Sequence, residues 1–242
     1  MQDVRILTAG DSSILVSFGS EISPEINRRI AATVQLIRDQ QIVGIMDMIP
    51  TYCSLLINYD PRLILYDALV ERIRGLLKVD ITAGAQKKKI YEIPVCYGGE
   101  YGPDLQIIAD HAGLTPQEVI DIHTSRDYLI YMLGFLPGFT YLGGLDERIH
   151  TPRLPSPRLK VEAGSVGIAG SQTGSYPLDS PGGWNLMGKT PVKTYDPNRN
   201  PPILVEAGDY IHYYSIDEAE FKRIAELVEK NEYQVTIREE EA

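Results

Sequence analysis

The chain has few of the residues from which metal centres and disulfide frameworks are built. Its two cysteines, Cys53 and Cys96, lie far apart, and its four histidines, His111, His123, His150 and His212, fall in no HxH or HExxH spacing. No metal site is expected from such a set. No export signal is in view, so both thiols are expected reduced and buried. No apolar run approaches the ~20 residues that a spanning helix needs. The opening MQDVRILTAGDSS lacks a charged segment followed by an apolar one, so neither a membrane span nor a signal peptide is expected. Positive charge is in deficit: 23 Lys and Arg stand against 33 Asp and Glu, a net charge of −10. That balance argues against nucleic acid or an anionic membrane as a partner, and the cytoplasm is the expected compartment. There is no GxSxG elbow of a serine hydrolase either.

What is present divides into two parts. In residues 1–96 the runs at 4–7, 13–18, 45–49, 54–59 and 88–95 read as strands. Ser23 and Pro24 open a helix with Ile26, Ile30, Val34 and Ile37 on one face. Asp60 and Pro61 read as the start of a second, which buries Leu65, Leu69, Ile73 and Leu76. The order β-β-α-β-β-α-β predicts an α+β sandwich, ferredoxin-like in outline. It holds no concentrated polar cluster and reads as a scaffold or docking surface. YGGEYG at 97–102 marks the boundary. Residues 97–242 begin with two short helices, the second opened by a capping box from Thr115 to Glu118. His111 and His123 fall on these helices and read as structural. Short strands broken by Gly and Pro follow, including 190–195, 203–205 and 233–237, the pattern of a small β-barrel.

The chemistry concentrates in 161–191, VEAGSVGIAGSQTGSYPLDSPGGWNLMGKTP, which holds seven of the 21 glycines and the single tryptophan, Trp184. Glycine admits φ > 0 and close approach of backbone or ligand at an entropic cost, so this concentration predicts a shaped surface. Just before it, TPRLPSPRLK sets Arg153 and Arg158 on a proline-stiffened frame. Guanidinium forks suit carboxylate or phosphate. The pair reads as an anion clamp or as solvated surface charge. Gln172 and Thr173 are candidate readers of an amide, Trp184 a candidate wall, and His150 an acid–base candidate. Residues 183–190 match GxxxxGK[ST] letter for letter. A phosphate loop needs a helix after it, whereas Pro191 and then VKTYDPNRN follow here, so the match reads as accidental.

LGFLPGFTYLGGL at 133–145, together with 151–191, closely resembles the KipI family. That family takes in the B subunit of the bacterial ATP-dependent 5-oxoprolinases and the allophanate hydrolase subunit 1 type domain of urea carboxylases. The resemblance covers nearly the whole chain. It implies an α+β domain over 1–96 and a cyclophilin-like β-barrel over 97–242. It also implies conversion of 5-oxo-L-proline, ATP and water to L-glutamate, ADP and phosphate, together with PxpC-type and PxpA-type partner subunits. Members in spore formers are described as inhibitors of a sporulation histidine kinase. Two positions depart from the family pattern: Lys189 stands where arginine is common, and Ser175 where an aliphatic residue is common. A lactam amide is resonance-stabilised, and phosphorylating its oxygen requires cations and hydrogen-bond donors. The chain offers Arg153, Arg158 and Lys189 as cations and Gln172 and Thr173 as donors, with His150, Arg158 and Gln172 as catalytic candidates. No stretch forms a nucleotide site by itself, so ATP is expected to bind only in the complex.

Overall fold

The computed structural model describes residues 4–78 and 88–240. Residues 4–78 form one compact unit and residues 88–240 another. In the first, β1 (Arg5–Thr8), β2 (Ser13–Ser17), α1 (Pro24–Asp39), β3 (Ile45–Pro50), β4 (Ser54–Tyr59) and α2 (Tyr66–Leu76) follow one another. The strands make an antiparallel sheet in the order β1-β2-β4-β3. Strand alternation turns Ile14, Val16, Leu55 and Ile57 to one face. There they meet Ile26, Ile30, Val34 and Ile37 of α1 and Leu69, Val70 and Ile73 of α2. Each such side chain contributes about 1.5–3 kcal/mol by leaving water. The Ser23 hydroxyl accepts the backbone N–H groups of Glu25 and Ile26 at 3.2 and 3.4 Å and starts α1 where the sequence places it.

Two sequence expectations for this unit are corrected. Asp60 and Pro61 do not open α2. The Asp60 carboxylate accepts the Arg62 backbone N–H at 2.9 Å and its guanidinium at 2.6 Å, closing a turn, and the helix begins only at Tyr66. The fifth strand also belongs elsewhere. In the β-α-β-β-α-β order the last strand returns beside the first; here β1, from the front of the chain, fills that outer place next to β2.

The second unit opens with that strand, β5 (Lys88–Tyr97), so the division lies before Lys88 rather than after Cys96. After it come α3 (Leu105–Ala112), α4 (Pro116–Thr124), β6 (Asp127–Leu133), β7 (Thr140–Gly143), β8 (Arg158–Val161), β9 (Ser165–Ala169), β10 (Gln172–Ser175), β11 (Ser180–Gly182), β12 (Asn185–Lys189), β13 (Tyr210–Ile216), α5 (Glu218–Glu229) and β14 (Ile237–Glu240). Seven strands in the order β12-β9-β10-β7-β6-β13-β5 close into a barrel through the pairing of β12 with β5. This is the barrel the sequence predicts. Closure leaves no free sheet edge in the ring. β14 pairs with the first part of β5, outside the ring, and β8 and β11 make a separate two-stranded ribbon. Ile93, Val95, Tyr128, Ile130, Leu142, Val166, Ile168 and Met187 share one core with Leu105, Ile108, Val119 and Ile122 of α3 and α4.

Residues 190–205 are not two strands, as the sequence suggested. A single bridge joins Tyr195 to Ile203, and the Arg199 guanidinium donates to the carbonyls of Lys193, Thr194, Pro201 and Pro202. Prolines deprive this stretch of ladder donors. The last strand is displaced from 233–237 to Ile237–Glu240. Cys96 is buried and Cys53 half-buried, both as free thiols. No helix among the described residues is long and apolar enough to cross a membrane.

Candidate functional site

The outer face of the barrel wall carries a small second core. Phe139, Val161, Ala169, Tyr176, Trp184 and Leu186 form it, with Leu136 and Tyr141 packed alongside. The Phe139 ring meets Tyr176 and Trp184 edge to face at 5.4 and 5.6 Å, a favoured aromatic geometry. Two glycines permit this. A Cβ at Gly174 would lie 3.4 Å from the Trp184 ring and 2.8 Å from the Thr140 carbonyl. A Cβ at Gly182 would lie 2.5 Å from the Tyr176 hydroxyl, so only glycine lets the ribbon close over that phenol.

Both sequence-predicted arginines border this layer. The chain on either side of Arg153 is fastened: Asn185 Nδ2 donates to the Pro152 carbonyl and the Leu154 N–H to the Gly183 carbonyl, each at 2.8 Å. Arg153 itself is exposed, and among the described residues no carboxylate pairs with it. Arg158, at the start of β8, donates through Nη2 to Asp104 Oδ1 at 2.7 Å and through Nη1 to the Trp184 carbonyl at 3.3 Å. The other Asp104 oxygen accepts the Leu186 N–H at 2.7 Å. Burial pushes the Tyr176 phenol's pKa up, while Arg153, Arg158 and a backbone N–H from Trp184 pull it down.

The remaining predicted residues lie differently. Lys189 ends β12 and pairs with Glu162 at 2.5 Å, and Lys160 pairs with Asp179 at 2.8 Å, so neither is a free cation. Residues 185–189 are barrel strand with no helix after them, so the phosphate-loop match has no loop. His150 turns Nε2 to the Leu145 carbonyl at 3.2 Å, within its own loop. Alternation along β10 sends Gln172 and Gly174 outward, the side on which Trp184 packs, and Thr173 and Ser175 inward. Two hollows, one of about 320 Å³ at residues 96–101 and 216–218 and one along α2, are lined by none of the predicted residues. Of the predicted residues, Arg153 stands exposed beside the aromatic layer, while Arg158 and Trp184 are tied into it.

Thr173 is corrected from an amide reader to part of an interior relay that the sequence reading missed. His123, fully buried, places Nδ1 2.8 Å from the Tyr97 hydroxyl and Nε2 2.8 Å from Thr173 Oγ1. Thr173 gives its own proton to the Gly167 carbonyl at 3.1 Å. It must then accept from Nε2–H, which leaves Nδ1 to accept the Tyr97 proton. One tautomer follows, neutral, with burial pushing the histidine pKa down to about 3. Thr173→Val keeps the shape but leaves Nε2–H unpaired. It is expected to cost about 1–2 kcal/mol, read as a lower urea midpoint.

The description "Carboxyltransferase domain, subdomain C and D" fits residues 4–205. The chain is 42% identical over 231 residues to the 5-oxoprolinase B subunit of Bacillus subtilis, covering 90% of this chain and 95% of the relative. The chain belongs to the 5-oxoprolinase B-subunit family. Among solved structures, TTHA0988 is 37% identical with a TM-score of 0.75, matching 85% of this chain but 40% of its own. K. lactis urea amidolyase, at 24% identity and a TM-score of 0.83, shares the fold over 98% of this chain and 16% of its own length. The B-subunit fold is thus also found inside longer chains.

Proposed function

We propose that the chain is the B subunit of an ATP-dependent 5-oxoprolinase, acting with PxpC-type and PxpA-type subunits and inactive without them. The observation that carries the reading is the 42% identity to the Bacillus subtilis 5-oxoprolinase B subunit, maintained over 95% of that relative. The arginine corner supports it, because 5-oxo-L-proline is a small anion and Arg153 is a cation without a carboxylate partner among the described residues.

The chemistry divides accordingly. ATP phosphates need several cations and backbone donors, and here Lys189, Lys160 and Arg158 are each paired with a carboxylate. The nucleotide is therefore assigned to the complex and substrate orientation to this chain.

The test is 5-oxoproline-dependent phosphate release by the purified chain, alone and with the two partner subunits. Release is expected only from the reconstituted mixture. Turnover by the lone chain would overturn the shared-site reading, and none from any mixture would overturn the assignment to 5-oxoprolinase.

A further inference from the structure

We infer that Phe135, held outward by a strained turn, is the anchor by which this chain docks onto a partner subunit of the 5-oxoprolinase complex. The inference rests on the 5-oxoprolinase reading and adds which surface of this chain meets its partner.

The backbone points there first. Phe135 sits at φ +62°, where a bulky side chain is strained. Across it the Leu136 N–H donates to the Gly134 carbonyl at 2.7 Å, which makes Phe135 the middle of a three-residue turn in its rare, strained form. Two other non-glycine residues among those described have positive φ, Gln41 and Asn231, and they follow the ends of α1 and α5. A left-handed residue there is an ordinary helix ending. Phe135 has no such reason, since it lies in the loop between β6 and β7. That loop is fastened. The Gly134 N–H donates to the Phe139 carbonyl at 3.2 Å and the Phe139 N–H to the Leu136 carbonyl at 3.0 Å. Gly138 lies against the neighbouring chain so closely that a Cβ would stand 3.2 Å from the Thr194 carbonyl.

Inside the chain the ring gains little in return. Phe135 is 65% exposed and is the one aromatic among the exposed large apolar side chains of the described residues. It meets the Phe139 ring by an edge at 5.7 Å, and the half-buried Leu136 lies beside it in sequence. Strain kept for a ring that faces water finds its return outside the chain. An aromatic side chain on a rigid base is the form that interface anchors take. The occupant follows from the family. The matching description names subdomains C and D of a carboxyltransferase domain. The Bacillus subtilis B subunit is matched over 95% of its length and so has no room for others. In TTHA0988 the same fold takes up 40% of a longer chain. A net charge of −10 argues against an anionic membrane in that place.

The experiment measures, by isothermal titration calorimetry, binding of the full chain to each of the two partner subunits. It compares the wild type with Phe135→Ala, Phe135→Gly and Phe135→Tyr, and takes the urea midpoint of each chain alone. The wild type is expected to bind a partner subunit, the alanine and glycine variants about tenfold or more weakly, and the tyrosine variant close to the wild type. The midpoints should stay near that of the wild type, with Phe135→Gly above Phe135→Ala, because both lack the ring and only glycine relieves the turn.

Equal affinity in all four proteins overturns the anchor. So does a marked fall in both midpoints, which would make the ring part of this chain's own packing, or an alanine variant as stable as the glycine one, which would remove the strain. A wild-type dimer that Phe135→Ala dissociates, or binding to phosphatidylcholine–phosphatidylserine vesicles that it abolishes, overturns it in favour of a second copy or a membrane. If the wild type assembles but the mixture releases no phosphate with 5-oxo-L-proline, the functional reading fails and the affinities alone judge the anchor. No association with either subunit overturns the anchor, whatever the turnover.

Discussion

A glutamine at position 123 is expected to flatten the acid limb of the stability curve. The His123 ring sits inside the barrel, and burial holds its pKa near 3, against ~6.5 for an exposed histidine. Below pH ~6.5 the unfolded chain binds a proton that the folded chain refuses. The stability tied to the neutral ring is thus complete above that pH. It declines as the pH falls, by about 1.4 kcal/mol per unit down to about pH 3. Between pH 6.5 and 4.5 this amounts to roughly 2–3 kcal/mol. The carboxylate of Asp127, whose pKa is lowered through Lys88, His212 and Arg238 despite its burial, loses its contribution only at lower pH and stays outside this window. His123→Gln keeps a donor and an acceptor but does not titrate. Urea unfolding at several pH values should show the variant weaker at pH 7 and the difference shrinking by those 2–3 kcal/mol toward pH 4.5. Parallel curves for the two proteins would mean that the ring does not enter the barrel in its neutral form.

Position 123 also shows where the sequence was legible and where it was not. The helix around it was readable, because the Thr115–Glu118 capping box and Pro116 are local signals, and both reciprocal bonds form. In the glycine-rich stretch one strand before Gly170 was readable, but Gln172–Gly174 reads as a loop in sequence and is strand β10, paired with β9 and β7. His123 was read as structural, and its packing bears that out, but its partners Tyr97 and Thr173 lie 26 and 50 residues away and no local pattern joins them. The same holds for Asp104 and Arg158, separated by 54 residues. Arg153 and Arg158 look alike in TPRLPSPRLK, and only the fold makes one a free fork and the other half of an ion pair. The placement of β5 failed for a related reason. Its run is strand-like in either unit, and only pairing with β13, β14 and β12 decides its membership. Strand parity could have flagged one error: Gln172 and Thr173 are neighbours on a strand and cannot both face a ligand.

Asp104→Ala is expected to cost about 3 kcal/mol and Asp104→Asn less. The backbone of Asp104 donates to the Leu186 carbonyl at 2.9 Å while its carboxylate accepts the Leu186 N–H, so a single residue brackets this point of β12. Alanine leaves that N–H, in a buried strand, without its acceptor. It also leaves Arg158 without a counter-charge, which water reaching the partly exposed guanidinium only partly offsets. Asparagine retains an oxygen for one of the two donors and removes the charge, so it separates the structural role from the electrostatic one. The expected result is a urea midpoint lowered in both variants and by clearly more in Asp104→Ala. Equal losses in the two variants would place the stabilisation in the charge pair with Arg158, which both remove, and not in the acceptor for the Leu186 N–H.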